Sequence, residues 1–242
     1  MTIKVYWEDA YARKFQGAVI DVSAESVILD RTAFYPAGGG QPGDTGIIAA
    51  GGTAFKVTDT RKAGEDVSHL IGEFTGKIGD TVEGEIDWGR RYQHMRYHTA
   101  IHLIDAVVNR KPEYAGIITG SQIYEDRARV DFALESLSME LANDFIRQSN
   151  LIIGEKHPIR SYFISAEEAA GIDNLARTAP GRDLLKTMDK VRIVEIEGID
   201  RQADGGTHVS NLAEIGKITL SKIENKGRNN KRMVITLDNG GE

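Results

Sequence analysis

Residues 90–108 read RRYQHMRYHTAIHLIDAVV, and the chain changes character there. Tyr97, Ile101, Ile104 and Val108 recur at the steps of one helix face, which predicts a helix of about twenty residues. Its second half is apolar on almost every side, the pattern of a helix buried all round. Upstream the period is two. Ile3-Val5-Trp7, Ala18-Ile20-Val22, Val27-Leu29, Ile47-Ile48, Phe55-Val57 and Val82-Ile86 alternate with polar positions, so antiparallel strands in a small barrel or sandwich are expected. Between them RTAFYPAGGGQPGDTG, residues 31–46, is too rich in Gly and Pro for a regular element and reads as a shaped loop. Downstream the pattern predicts a strand over 129–133, then a helix with Leu137, Leu141 and Phe145 on one face. Ser165 with Glu168 forms a capping box opening a further helix, and strands are expected over 191–197, 215–223 and 233–237. The fold class is therefore α+β: a small barrel-like, glycine-rich β domain over 1–88, then an α+β domain over 89–242.

The composition narrows the function. No run approaches the ~18 apolar residues of a membrane span, and the first twenty residues carry charge where a signal peptide is apolar. A cytoplasmic protein without a membrane partner is the expectation. The chain has no cysteine, so a transition metal would have to be held by His, Asp or Glu. The formal charge of -6 argues mildly against a nucleic-acid partner, but its distribution matters more. Over residues 217–232, Lys217, Lys222, Lys226, Arg228, Lys231 and Arg232 face only Glu224, which suits phosphate contact or, equally, a solvated turn. Arg90, Arg91 and Arg96 form a second such patch.

His98 and His102 stand four residues apart on the predicted helix, so both rings leave the same face. They fit either one metal ion or a pair of satisfied, partly buried histidines. A thermolysin-like protease is excluded, because Thr99 stands where that motif needs its glutamate base. In the segment from Asp200 to His208, Gly205 and Gly206 predict a tight turn bringing Asp204 and His208 together. Three imidazoles and a carboxylate suit zinc, open to water with three protein ligands and closed with four.

Three stretches carry a more specific signal. HMRYHTAIHL (94–103), DRQADGGTHVSNLAEIG (200–216) and LDRTAFYPAGGGQPGDTG (29–46) together resemble the editing region of alanyl-tRNA synthetase. Without an aminoacylating part, the chain resembles the free-standing AlaX proteins of medium type. The resemblance implies hydrolysis of the ester between a wrong amino acid, chiefly serine and secondly glycine, and the 3′-terminal adenosine of tRNA(Ala). It implies one zinc ion per chain on His98, His102, Asp204 and His208, with no catalytic side chain beyond that site. Asp204 departs from the family, whose usual ligand there is a cysteine. Ile101 and Ile118 stand where the family often has Thr and Gln. Thr119 is then the nearest hydroxyl, resembling the group that tells serine from alanine, or it is an ordinary strand threonine. Gly39, Gly40 and Gln41 read as substrate-placing, and Arg91, Lys226, Arg228, Asn229, Lys231 and Arg232 as tRNA contacts. Two alternatives stay open: threonyl-type editing of Ser-tRNA(Thr), which the GGGQPGDTG loop disfavours, and a non-catalytic tRNA-binding protein whose metal site has decayed.

Overall fold

Strands of period two in the first ninety residues close on themselves. The computed structural model describes residues 1–114, 118–176, 183, 185 and 187–238, and the chain divides into two units, Met1–His94 and Met95–Glu242. The first unit contains β1 (Ile3–Lys4), α1 (Val5–Glu8), β2 (Lys14–Val22), β3 (Ser26–Leu29), β4 (Arg31–Thr32), β5 (Gly46–Ala50), β6 (Thr53–Ala63), β7 (Asp66–Ile71) and β8 (Thr81–Ile86). Six of them form a closed barrel in the order β2-β3-β7-β6-β5-β8, and β1 pairs parallel with β4 outside it. Closure puts every second side chain inside: Val19, Val27, Leu29, Ile48, Val57, Ile71, Val82 and Ile86 surround Phe34. At ~1.5–3 kcal/mol for each large apolar side chain, this burial is what holds so short a set of strands together.

In the first unit the structure departs from the sequence reading at α1, at β7 and at β4, a two-residue strand at the start of the stretch read as a loop. Ile3-Val5-Trp7 does not continue as a strand, because the buried residue is Tyr6, edge-on to Tyr35, while Ile3 is exposed. A single turn of helix at Val5–Glu8 turns Tyr6 inward. Conversely β7 was not expected, because a histidine breaks its apolar alternation; Val67, His69 and Ile71 all point inward. His69 has Thr32 Oγ1 on Nε2 at 2.8 Å and the Val27 carbonyl on Nδ1 at 3.1 Å. Burial lowers its pKa to about 4, so the ring is neutral in the core.

The loop after β4 is shaped by close backbone approach. A Cβ on Gly43 would land on the Thr60 backbone, so only glycine lets the loop lie against β6. Asp44 anchors the loop's end, accepting the Tyr35 N–H at 2.6 Å and two bonds from Arg91 Nε at 2.9 and 3.1 Å. Arg91 also donates to the carbonyls of Ala33 and Ala10 and is fully buried. This corrects the expectation that Arg91 contacts tRNA: its guanidinium is spent on the barrel's own loop.

The remaining elements are α2 (Trp88–Asn109), β9 (Ile118–Ile123), β10 (Ala128–Phe132), α3 (Met139–Gly154), β11 (Ile159–Ser165), α4 (Ala166–Ala170), β12 (Lys190–Ile196), β13 (Asp200–Ala203), β14 (Ile218–Gly227) and β15 (Asn230–Leu237). α2 starts in the first unit, and its second half, residues 100–108, is buried on all sides as its composition predicts. In the second unit, β14-β15-β10-β9 form one sheet and β11-β12-β13 another. Helix α3 starts at Ser138, whose hydroxyl accepts the Leu141 N–H at 3.1 Å. Its buried stripe is Ala142, Phe145, Ile146, Ser149 and Ile152, one residue round from the expected Leu141 face. Asn150 fixes α3 to β14 by taking both backbone groups of Ile218, at 2.8 and 2.9 Å. The capping box of Ser165 and Glu168 opens α4 as expected. No helix among the described residues is long and apolar enough to cross a membrane.

Candidate metal centre

Helix α2 presents His98 and His102 one turn apart, and packing on every side of the helix leaves both rings little freedom. The second pair comes from the turn after β13. Arg192, buried in β12, donates from one nitrogen to the carbonyls of Asp204 and Gly206, at 3.0 and 2.9 Å, and the Asp204 N–H returns a bond to the Arg192 carbonyl. Asp204 Oδ2 accepts the Gly206 N–H at 2.6 Å, which tightens the turn further. Gly206 is required by contact, because a Cβ there would land on the His98 ring.

The four side chains meet. Ring centroids lie 5.1 Å apart for His98 and His102, 4.4 Å for His98 and His208, and 4.6 Å for His102 and His208. Asp204 Oδ1 is 3.7 Å from His98 Nε2 and 3.9 Å from His102 Nε2, and Oδ2 is 3.0 Å from His208 Nε2. One ligand atom from each residue lies within 4.8 Å of all the others. Burial lowers the pKa of His98 to about 4, opposed by Asp204. It also lowers that of His208, with the neighbouring rings adding to the effect. Burial by itself raises the pKa of Asp204, but the imidazoles facing it bring it well below the usual carboxylate range. Burial thus favours neutral rings at His98 and His208 beside an ionised Asp204, and the His102 ring completes the cluster. Imidazole lone pairs and an anion crowded into one buried space repel unless a proton or a cation lies between them, and this N3O donor set is one that zinc accepts.

The outer contacts carry two residues that motif reading passed over. Thr99 Oγ1 lies 3.2 Å from His208 Nδ1. Arg192 was legible in principle, as the one cation in the strand VRIVEI, which is apolar apart from Arg192 and Glu195.

Thr119 is exposed on β9, its hydroxyl donating to the Asp131 carbonyl at 3.3 Å. In the first unit, Gly38 and Gln41 exchange both backbone hydrogen bonds around Gly39 and Gly40, whose φ values of 59° and 81° suit glycine. Gly39 is exposed and Gln41 buried. At the β14–β15 turn, Lys226, Arg228 and Asn229 are exposed. Lys231 is buried and corrects the expectation for it: its ammonium donates to the carbonyls of Gly227 and Arg228, closing the hairpin. Arg232 is held by both oxygens of Asp131, its partner across the sheet, at 2.6 and 3.0 Å.

Comparison with known proteins gives the family. The chain is 42% identical over 247 residues to the alanyl-tRNA editing protein AlaX-M of Methanosarcina acetivorans, a match covering 98% of this chain and 99% of that protein. The chain belongs to the AlaX-M family of alanyl-tRNA editing proteins. The AlaX-M of Saccharolobus solfataricus is 40% identical, again covering 98% and 99%. The alanine–tRNA ligase of Metallosphaera sedula is 35% identical over 92% of this chain, a stretch equal to 25% of the ligase. Residues 6–90 match the class II (A) tRNA synthetase family. Residues 191–234 match the threonyl and alanyl tRNA synthetase second additional domain. For an AlaX-M member, that second match spans Arg192, the Asp204–His208 turn and the basic hairpin, while His98 and His102 come from a helix outside it.

Proposed function

We propose that this chain hydrolyses the ester joining a wrong amino acid, serine first and glycine second, to the 3′-terminal adenosine of tRNA(Ala). One zinc ion is held by His98, His102, Asp204 and His208, and the setting is the cytoplasm, where tRNA is charged. The observation that carries the reading is the convergence of three imidazoles and a carboxylate within 4.8 Å in a family of tRNA-editing proteins. In the reaction, water adds to the ester carbonyl carbon and the bond to the ribose oxygen breaks. That oxygen leaves as a hydroxyl and the amino acid leaves as its acid. When bound, zinc supplies a Lewis acid that orients the 3′ end or lowers the pKa of water.

The protein's own groups supply placement. His98 and His102 are fixed by a buried helix, and Arg192 and Gly206 fix the turn carrying Asp204 and His208. Thr119 is proposed to hydrogen-bond the hydroxyl of a seryl group; against an alanyl group it would lose that partner, which favours removal of serine. The Gly39–Gly40 backbone and Gln41 are proposed to place the substrate. Lys226, Arg228 and Asn229 are proposed to meet the tRNA backbone, with Arg232, already paired, shaping the sheet beneath them.

The test is hydrolysis of Ser-, Gly- and Ala-tRNA(Ala) side by side, with metal content measured on the same preparation. Serine should be removed fastest and alanine slowest, with one zinc per chain. Equal rates on all three, or a protein free of transition metal that still discriminates, would overturn the reading.

A further inference from the structure

We infer that Thr99 is a positioning residue that decides which nitrogen of His208 faces the metal. The inference rests on the zinc centre proposed above. Thr99 is fully buried on α2. Its Oγ1 lies 2.9 Å from the Met95 carbonyl one turn back and 3.2 Å from His208 Nδ1, and it accepts the Val209 N–H at 3.3 Å. On the other side of the ring, His208 Nε2 faces Asp204 Oδ2 at 3.0 Å.

A neutral imidazole carries one proton, which leaves two arrangements. With the proton on Nε2, the ring donates to Asp204, Nδ1 accepts a hydrogen bond from the Thr99 hydroxyl, and no lone pair is left for a metal on the Nε2 side. With the proton on Nδ1, the ring donates to Thr99 Oγ1, and the Thr99 O–H donates to the Met95 carbonyl. The Nε2 lone pair then joins Asp204 and the two rings of α2. A metal can be held only in the second arrangement, and the buried Nδ1–H then needs an acceptor. The Thr99 hydroxyl serves both arrangements, because it donates in one and accepts in the other. Its contacts to Met95 and Val209 also span the helix and the segment that follows the turn, so the same oxygen sets the ring's plane.

The experiment uses the full chain as wild type, Thr99→Val and Thr99→Ser. Zinc affinity is measured by competition with a chromophoric chelator, and the protonated nitrogen of His208 is read from long-range ¹H–¹⁵N correlations with and without zinc. Wild type with zinc should carry the His208 proton on Nδ1. Thr99→Val keeps the shape and loses the oxygen, so zinc should bind ~10–100-fold more weakly, and the metal-free ring should shift toward the Nε2 proton. Thr99→Ser should restore both readings. Wild-type affinity and an unchanged Nδ1 proton in Thr99→Val would overturn this inference while leaving the zinc centre standing. A wild-type chain that takes up no zinc overturns the centre itself, and the inference with it. If Thr99→Val does not fold, the zinc-loaded wild-type spectrum decides: a proton on Nε2 refutes the inference, and one on Nδ1 supports it.

Discussion

His69 and His98 are both buried, and burial holds both neutral with a pKa of about 4, yet they sit in opposite company. Around His69 the hydrogen bonding is complete: one ring nitrogen meets a hydroxyl, the other a backbone carbonyl, and the Phe34 ring stands edge-on at 5.2 Å. Around His98 the neighbours are two more imidazoles and a carboxylate, each offering a ligand atom within 4.8 Å of the others. A depressed pKa therefore reports burial in both places, and what separates a structural histidine from a ligand is the count of donors and acceptors facing it. The Arg91–Asp44 pair makes the same point for buried charge, because the guanidinium's contacts close on one carboxylate and two carbonyls.

The largest expected effect breaks a cluster that is complete in itself. Arg91→Met leaves Asp44 buried without its cation and should cost ~3–5 kcal/mol in denaturant unfolding. A loss below ~1 kcal/mol would mean that the loop finds another partner for the carboxylate.

Next comes pH. The folded pKa of His69 lies below its ordinary value of 6.5, so the unfolded chain takes up a proton first as pH falls. Its contribution to stability is full above pH 6.5 and is lost on the way down to pH 4, amounting to about 3 kcal/mol. Unfolding midpoints taken from pH 7 to 4.5 should fall, and His69→Leu should flatten that fall. An unchanged pH slope in the variant would remove His69 as the source.

The four-residue cluster responds to a missing anion instead. Asp204→Ala should weaken zinc binding by more than ~100-fold, about 2.7 kcal/mol, because losing a ligand exceeds the usual cost of losing an outer contact. Deacylation should fall with it. Asp204→Cys should retain metal and activity, since zinc bonds of roughly 2.0–2.2 Å to oxygen and 2.3 Å to sulfur differ little. Full metal content and activity in Asp204→Ala would leave a three-histidine site with Asp204 as a bystander.

The smallest effect separates exposed from buried cations on the hairpin. Lys226→Glu with Arg228→Glu should lower the log–log salt slope of tRNA binding by about 1.8, two phosphate contacts at roughly 0.9 each. Lys231→Met should leave the slope alone, because its ammonium is already taken by two carbonyls. Equal slopes in all three proteins would place the RNA surface elsewhere.

What was readable in the sequence was local. His98 and His102 meet through helix geometry alone, and Asp204 and His208 through a four-residue glycine turn, so spacing was enough to name all four. The barrel strands followed from alternation wherever the inward residues were apolar, and β7 was missed where the inward residue is His69. Thr99 pairs with a ring 109 residues away, and Arg91 with a carboxylate 47 residues away. Neither partnership leaves a pattern along the chain, so Thr99 read only as a missing protease base and Arg91 as surface charge. The chain of contacts from Arg192 to the turn was hidden for the same reason.

β14 is an outer strand of its sheet, whereas every strand of the barrel has two neighbours. An outer strand exposes unpaired amide and carbonyl groups to any passing chain and is a nucleus for aggregation unless it is guarded. Lys222 and Lys226 are exposed along β14 with Glu224 between them, and the pairing shifts register twice beside them. Charge and irregularity of this kind deter a foreign strand. Lys226, proposed to meet RNA, thus also guards the edge, and replacing it with an apolar residue would confuse aggregation with lost affinity. Reversing its sign keeps the guard in place.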